Sequence, residues 1–113
     1  MEIESRNQGE SLVVCPRGLL AGADAESLRT HLGELAGNGK TEVVLDCSKL
    51  RFVDSRGLEV LVEAAEQFIR SGQTFKLAGA KATLQEVLDL TELSSLFEFQ
   101  AELPEAQPLE IRG

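Results

Sequence analysis

The sequence predicts an α/β sandwich with a mixed β-sheet, and three observations support this. Segments with strand character alternate with segments of helical periodicity along the chain. Residues 42–47 are apolar almost throughout, which is typical of a central strand covered on both faces. The length of 113 residues suits one domain with its own core. Two strands followed by alternating helices and strands favour a sheet with both parallel and antiparallel pairs.

The first predicted element is a β-hairpin. Residues 2–6 and 11–15 form two short strand-like segments, joined by residues 7–10, a turn rich in residue types that tolerate positive φ. Pro16 cannot donate to a ladder, so we expect the second strand to end there or to lie at an edge of the sheet.

A helix is predicted to follow the hairpin. Asp24 is a candidate N-cap, and Gly37-Asn38-Gly39 is expected to end the helix. Apolar residues at spacings of three and four define one helix face: Ala25, Leu28, Leu32, Leu35 and Ala36.

The clearest helical periodicity lies in the middle of the chain and ends near Gly72. Residues 74–78 then predict a buried strand, Leu84, Val87 and Leu88 a further helix, and residues 93–99 a short turn and a last strand. The apolar face of the middle helix consists of Leu58, Leu61, Val62, Ala65, Phe68 and Ile69.

The C-terminal tail, residues 101–113, has two prolines and no hydrophobic period, so we expect it to be loosely ordered. The domain is therefore predicted to span residues 1–100.

The charge balance excludes several classes of partner. Nineteen acidic residues against eleven basic ones give a net charge of −8, which repels phosphate backbones and anionic lipid. No apolar run approaches the roughly 20 residues that cross a bilayer, and the first residues lack a signal-peptide pattern. The sequence therefore predicts a cytoplasmic protein that binds no nucleic acid and does not insert into membranes.

The two cysteines, Cys15 and Cys47, lie in separate apolar strand-like segments and form no C-x-x-C pair. Buried free thiols are the favoured interpretation. A disulfide stays open if the two strands are neighbours in the sheet.

Residues 48–58 connect the central strand to the middle helix and place Asp54 and Ser55 where that helix begins. Either residue can serve as a simple N-cap, accepting a hydrogen bond from the first helical turn. The same free N–H groups also make this a place where a phosphoryl group on the Ser55 hydroxyl would be tolerated. Phosphorylation would add about −1.5 to −2 charges beside Asp54 and could expel a docked partner.

This segment resembles a known family. The D-S-x-G-L element, Asp54 to Leu58, is similar to the most specific motif of the STAS domain of bacterial anti-sigma factor antagonists. The resemblance begins near Gly18, includes Val43-Val44-Leu45-Asp46 and extends to about residue 100. It implies a single-domain STAS-like sandwich with a mixed sheet of four to five strands and helices mainly on one face.

The resemblance also implies a partner-switching cycle. The unphosphorylated protein would bind an anti-sigma factor kinase of the histidine-kinase-like ATPase class. That kinase would phosphorylate Ser55, and a serine phosphatase would reverse the modification. The recognition surface is expected to include five positions of the motif: Asp54, Arg56, Gly57, Leu58 and Glu59.

Three differences from the family pattern bear on this function. Arg56 stands where a small Ser or Thr is usual, Leu19 and Ala21 replace acidic residues, and Glu92 replaces a glycine. The first two favour an alternative, a non-phosphorylated STAS subunit that acts as an accessory of a transporter or as a scaffold component. In that alternative Ser55 only caps its helix.

Catalytic constellations are not found in the sequence. The only histidine, His31, lies on the first predicted helix and is expected to be a partly exposed helix residue rather than the base of a Ser/His/Asp set. One His and two strand-buried Cys do not form a zinc set, and no G-x-x-x-x-G-K loop is present. The sequence therefore offers no catalytic base for a nucleotide-binding enzyme. We predict no catalytic residues, no metal and no cofactor. Self-association as a weak homodimer is left open.

Overall fold

A computed structural model describes residues 1–37, 39 and 41–100 of the chain. The strands are β1 (Glu2–Gln8), β2 (Ser11–Leu20), β3 (Glu42–Asp46), β4 (Leu50–Val53), β5 (Thr74–Ala78) and β6 (Glu98–Gln100). The helices are α1 (Gly22–Leu35), α2 (Ser55–Arg70) and α3 (Ala82–Leu90), with a 3-10 turn at Ser94–Leu96. The predicted tail at residues 101–113, and Asn38 of the predicted helix stop, lie outside the described residues. The domain limit at residue 100 stays a prediction.

The six strands form one mixed sheet with the order β1-β2-β3-β5-β6. β1 and β2 are an antiparallel hairpin, whereas β2–β3, β3–β5 and β5–β6 are parallel pairs. β4 lies off this path and pairs with the end of β2, Gly18–Leu20, in parallel. The predicted mixed α/β fold is confirmed, with one strand more than the four to five expected.

Strand β4 is the element that sequence patterning missed. It is only four residues long, and two of its central side chains, Arg51 and Phe52, are exposed. Such a strand has neither the alternation nor the continuous apolar run by which strands are recognised. Its place is fixed by the preceding turn, where the buried Asp46 carboxylate accepts hydrogen bonds from the Ser48 N–H (3.0 Å) and hydroxyl (2.7 Å).

Strand β2 continues past Pro16 to Leu20, so the prediction that it ends at the proline or lies at an edge is wrong. β2 pairs with β3 over Ser11–Val14 and with β4 from Gly18 onward. Pro16 lies between these two segments, where β2 is paired only with β1. A missing ladder donor is tolerated at such a change of partner.

Helix α1 begins at Gly22, with Ala21 at the N-cap position and no side-chain cap, so the prediction of Asp24 as N-cap is wrong. Asp24 lies in the first turn instead, where a carboxylate is favoured by the helix dipole. The helix ends at Leu35, before the predicted glycine stop. The predicted start and end of α2 and the predicted helix at α3 are confirmed.

All three helices pack on the same face of the sheet. Leu28 of α1, Leu61 of α2 and Leu88 of α3 share one buried cluster with alternate strand residues, among them Val14 and Leu45. The intervening residues Val13, Val44 and Ala78 form a separate cluster on the other face. The placement of the helices on one face is therefore confirmed, and it brings the starts of α2 and α3 to the same edge of the sheet.

Candidate functional site

The start of α2 is fixed by Asp54. This residue is the N-cap, with extended backbone (φ −93°, ψ −174°), and its Oδ1 accepts a hydrogen bond from the Gly57 N–H at 2.8 Å. Its own N–H donates to the Leu20 carbonyl at 3.2 Å, which ties the cap to the end of β2. Of the two cap candidates, Asp54 is therefore the cap, and the interpretation of Ser55 as the cap is wrong.

Ser55 is the first residue of α2 and is exposed. Its hydroxyl has no hydrogen-bond partner among the described residues. Because Asp54 already satisfies the Gly57 N–H, the Ser55 oxygen is not needed to complete the helix start. The exposed Ser55 side chain lies beside the positive end of the helix dipole.

Gly57 is buried, and the structure requires a glycine there. A Cβ at this position would lie 2.3 Å from the Leu20 carbonyl oxygen and 2.9 Å from Leu20 Cγ. Real side chains do not approach a backbone oxygen so closely, so only glycine lets α2 begin this close to β2. Gly57 therefore positions the site through its backbone, and its proposed contact with a partner stays a prediction.

Arg56 joins α2 to α1. Its Nε donates to a Glu26 carboxylate oxygen on α1, and a second nitrogen donates to Glu59 Oε1 at 2.8 Å. These hydrogen bonds, the one to Glu26 first, raise the pKa of Arg56, and the same contact lowers the pKa of Glu26. Arg29 extends the network to Glu63 at 2.7 Å. The cation that follows Ser55 is thus directed toward α1 and already paired.

A cavity of about 540 Å³ lies next to Ser55, between β4, the start of α2 and α3. Its walls are mostly apolar, and the polar groups on it are Arg51, Asp54, Ser55 and Lys81. Phe52 and Val87, at 54% and 43% exposure, form part of its rim. The apolar lining consists of Cys47, Leu50, Phe52, Val53, Leu58, Leu84 and Val87.

The structure brings the five motif positions together, since they belong to one helix start. Arg56 and Leu58 are partly exposed, and Glu59 is exposed. Leu19 is half exposed and pairs in register with Phe52 of β4. These two residues form an exposed apolar pair beside the cavity.

Sequence reasoning gave no functional role to four residues of this region: Glu26, Phe52, Lys81 and Val87. Phe52 lies two residues before Asp54, the first residue of the D-S-x-G-L motif. This closeness in sequence was the one feature that could have indicated its place at the site. Glu26 lies on α1, Val87 lies on α3 and Lys81 directly precedes α3, so only the fold brings them to the start of α2.

Of the remaining sequence candidates, Cys47 lies in the apolar lining of the cavity, whereas Cys15 and His31 are not part of that lining. Cys15 and Cys47 are free and buried; burial raises the pKa of both thiols, that of Cys47 to about 12. They therefore stay protonated at neutral pH. His31 lies on α1, is partly exposed as predicted, and its Nε2 is 3.1 Å from the Ser5 hydroxyl of β1.

Within the described ranges, no cluster of three or more His, Cys, Asp or Glu side chains is arranged to hold a metal ion. None of the helices in that part of the chain has the length and apolar character needed to span a membrane.

Comparison with known proteins gives a consistent result. A family model described as "STAS domain" matches residues 2–106. A protein of Bordetella bronchiseptica named "Putative anti-sigma factor antagonist BtrV" is 30% identical over 86 residues, which is 76% of this chain and 74% of that protein.

Solved structures show the same fold. An anti-sigma factor antagonist from Mycobacterium paratuberculosis superimposes with a TM-score of 0.79 at 20% identity, covering 99% of this chain and 94% of that one. SpoIIAA in its unphosphorylated form gives a TM-score of 0.73 at 16% identity, with 99% of each chain covered. The phosphorylated form of Bacillus SpoIIAA gives 0.72 at 16% identity, over 99% of this chain and 100% of that one.

Proposed function

The chain belongs to the STAS domain family, and we propose that it is an anti-sigma factor antagonist controlled by reversible phosphorylation of Ser55. In its unphosphorylated form it sequesters an anti-sigma factor kinase of the histidine-kinase-like ATPase class, and a serine phosphatase restores this form. It is a binding module and not an enzyme. The name of the Bordetella relative supports the general role, and the two solved forms of SpoIIAA support the modification.

The proposal depends mainly on one observation: Ser55 is exposed at a helix start that Asp54 already caps, and its hydroxyl has no partner within residues 1–37, 39 and 41–100. A kinase can therefore reach the oxygen without unfolding the helix. The free N–H groups of the first turn stabilise a phosphate placed there. The modification needs no change of fold.

The charge pattern supports release of the partner on phosphorylation. A phosphate adds about −1.5 to −2 charges next to Asp54, in a chain whose net charge is already −8. Arg56 is the nearest cation in sequence, but its guanidinium is paired with Glu26 and Glu59. Neutralisation of the phosphate by Arg56 requires breaking these pairs, so Arg56 does not cancel the repulsion between the phosphate and an acidic group of a docked partner.

The recognition surface consists of the motif residues that solvent reaches. Leu58 supplies apolar area, Arg56 and Glu59 supply a fixed pair of opposite charges, and Asp54 lies at the edge of the surface. Gly57 contributes by letting the helix start lie against β2. An ordered pair of charges gives orientation and specificity more than affinity.

The experiment is phosphorylation of the full chain by its cognate histidine-kinase-like ATPase with ATP, read by intact mass and peptide mapping. We expect one phosphate on the unaltered chain and none on a Ser55→Ala variant. Ser71→Ala is the matched control, because Ser71 is also exposed and lies at the other end of the same helix. It should be phosphorylated like the unaltered chain.

Modification at another residue, or none with an active kinase, contradicts the proposal. A Ser55→Ala variant that keeps full regulatory activity in cells, together with copurification of a membrane ATPase, favours the transporter-accessory alternative instead.

A further inference from the structure

The cavity beside Ser55 has the dimensions of a ligand site. Its volume of about 540 Å³ lies within the range of roughly 300 to 1,000 Å³ that is usual for small-molecule pockets, and its walls are mainly apolar with a few polar groups. It lies where β3, β4 and β5 end and α2 and α3 begin. Ligands of open α/β sheets bind in crevices at these carboxyl ends.

The cations at the cavity are available for a ligand. Lys81 Nζ donates to the Leu50 carbonyl at 2.8 Å, which uses one of its three protons and holds the ammonium at the wall. Arg51 is exposed. Over residues 1–37, 39 and 41–100, neither cation is paired with a carboxylate, whereas a second set of cations is: Arg17, Arg29, Arg56 and Lys76.

The chain has nineteen carboxylate side chains for eleven basic ones. Lys49 and Arg70 are also without an ion pair in the described ranges, but only Lys81 and Arg51 of these cations line the cavity. The one carboxylate on the cavity wall, Asp54, has its Oδ1 engaged by the Gly57 N–H. The lining of the cavity thus carries two cations and one carboxylate among mainly apolar residues.

From this arrangement we infer that the cavity binds a small anionic amphiphile, a monomeric aliphatic carboxylic acid. Its chain fills the space between Leu58, Leu84 and Val87, and its carboxylate contacts Lys81 and Arg51. The net charge of −8 disfavours an anionic membrane as the source of the ligand, because the negatively charged protein is repelled by the bilayer surface. A single acid molecule enters only the cavity and contacts the cations there. Ser55 and Leu58 line the same space, so a bound acid lies within the proposed partner surface.

The test is calorimetric titration of the unphosphorylated full chain with octanoate, decanoate and dodecanoate below their micelle concentrations. We expect saturable one-to-one binding that tightens about fourfold per added methylene. Decanol, which has the same chain without the charge, should bind roughly tenfold more weakly than decanoate. Since no kinase or partner is needed, this result is independent of the proposed function.

Variants locate the site. Lys81→Gln and Arg51→Gln should each weaken decanoate binding, whereas Arg70→Gln, which removes an exposed cation far from the cavity lining, should not. Val87→Trp fills the cavity and should abolish binding. Leu90→Trp is its control, because Leu90 is on the same helix, 84% exposed and outside the cavity lining.

Any of four results overturns the inference: no saturable binding, equal affinity for decanol and decanoate, equal damage by Val87→Trp and Leu90→Trp, or binding only to acyl chains presented in phosphatidylglycerol vesicles. Circular dichroism of each variant confirms that it is folded.

Discussion

Helices α2 and α3 begin at the same edge of the sheet, but their starts are built differently. α2 has a side-chain cap at Asp54, a glycine contact with β2 and an ion-paired Arg56. α3 begins at Ala82, and Lys81 at the N-cap position makes no side-chain cap; Leu84 and Val87 of this helix are both partly exposed. α2 thus holds Ser55 in a fixed position on a well-packed helix, whereas α3 forms the less tightly packed wall of a cavity.

The two helix starts therefore differ in which side chains hold the helix in place. At the start of α2, Asp54 caps the helix and Gly57 allows the helix to pack on β2. Neither of these roles requires the Ser55 hydroxyl. Substitutions at these positions should therefore differ in their cost to stability.

Gly57→Ala should have the largest effect on stability. The new Cβ would collide with the Leu20 carbonyl, which forces α2 away from β2 and should cost about 3 kcal/mol of unfolding free energy. Urea denaturation measures it. Gly33→Ala on α1 is the control: its Cβ would have no neighbour nearer than 3.9 Å, and the change should be neutral or stabilise by about 0.5 to 1 kcal/mol. Similar losses for the two variants would contradict the close packing of α2 on β2.

Asp54→Ala should lower the unfolding free energy by about 1 kcal/mol, because the Gly57 N–H loses its acceptor. The complementary variant is Ala21→Ser at the start of α1, where no side-chain cap exists; it should raise stability by up to about 1 kcal/mol. If Asp54→Ala has no effect on the urea midpoint, α2 does not depend on this cap.

Ser55→Ala should change the unfolding free energy by less than about 0.5 kcal/mol, since its hydroxyl makes no hydrogen bond within the described chain. The measurement is the same denaturation curve, compared with that of Asp54→Ala. A loss as large as that of Asp54→Ala would mean that Ser55 is the structural cap after all.

Arg56→Gln should have the smallest effect on stability, because the pairs of Arg56 with Glu26 and Glu59 are exposed to solvent. We expect an unchanged urea midpoint at moderate salt. A clear loss of stability that disappears at high salt would show instead that this ion-pair network holds α1 against α2.

Much of this architecture is accessible from the sequence. The 3.6-residue hydrophobic period predicts where α2 begins and ends, and the apolar run at residues 42–47 indicates a central strand. The placement of Asp54 and Ser55 at a helix start followed from the position of that period. These features depend on local patterns, which a sequence displays directly.

The rest depends on contacts between distant segments. Spacing alone does not decide whether Asp54 or Ser55 caps α2, because either oxygen can accept from the first turn. Strand β4 carries too little apolar patterning to be recognised. The Glu26–Arg56 pair and the cavity wall at Val87 exist only once α1, α2 and α3 pack on one face of the sheet.

Calorimetry can decide whether Ser55 is a switch, by comparing the affinity of the cognate anti-sigma factor for the full chain with and without a phosphate on this residue. Ser71→Ala, treated in the same way, controls for the modification reaction. We expect the phosphate to weaken binding at least roughly tenfold, by repulsion at a surface whose fold is unchanged. Equal affinity of the two forms would contradict a switch at the start of α2.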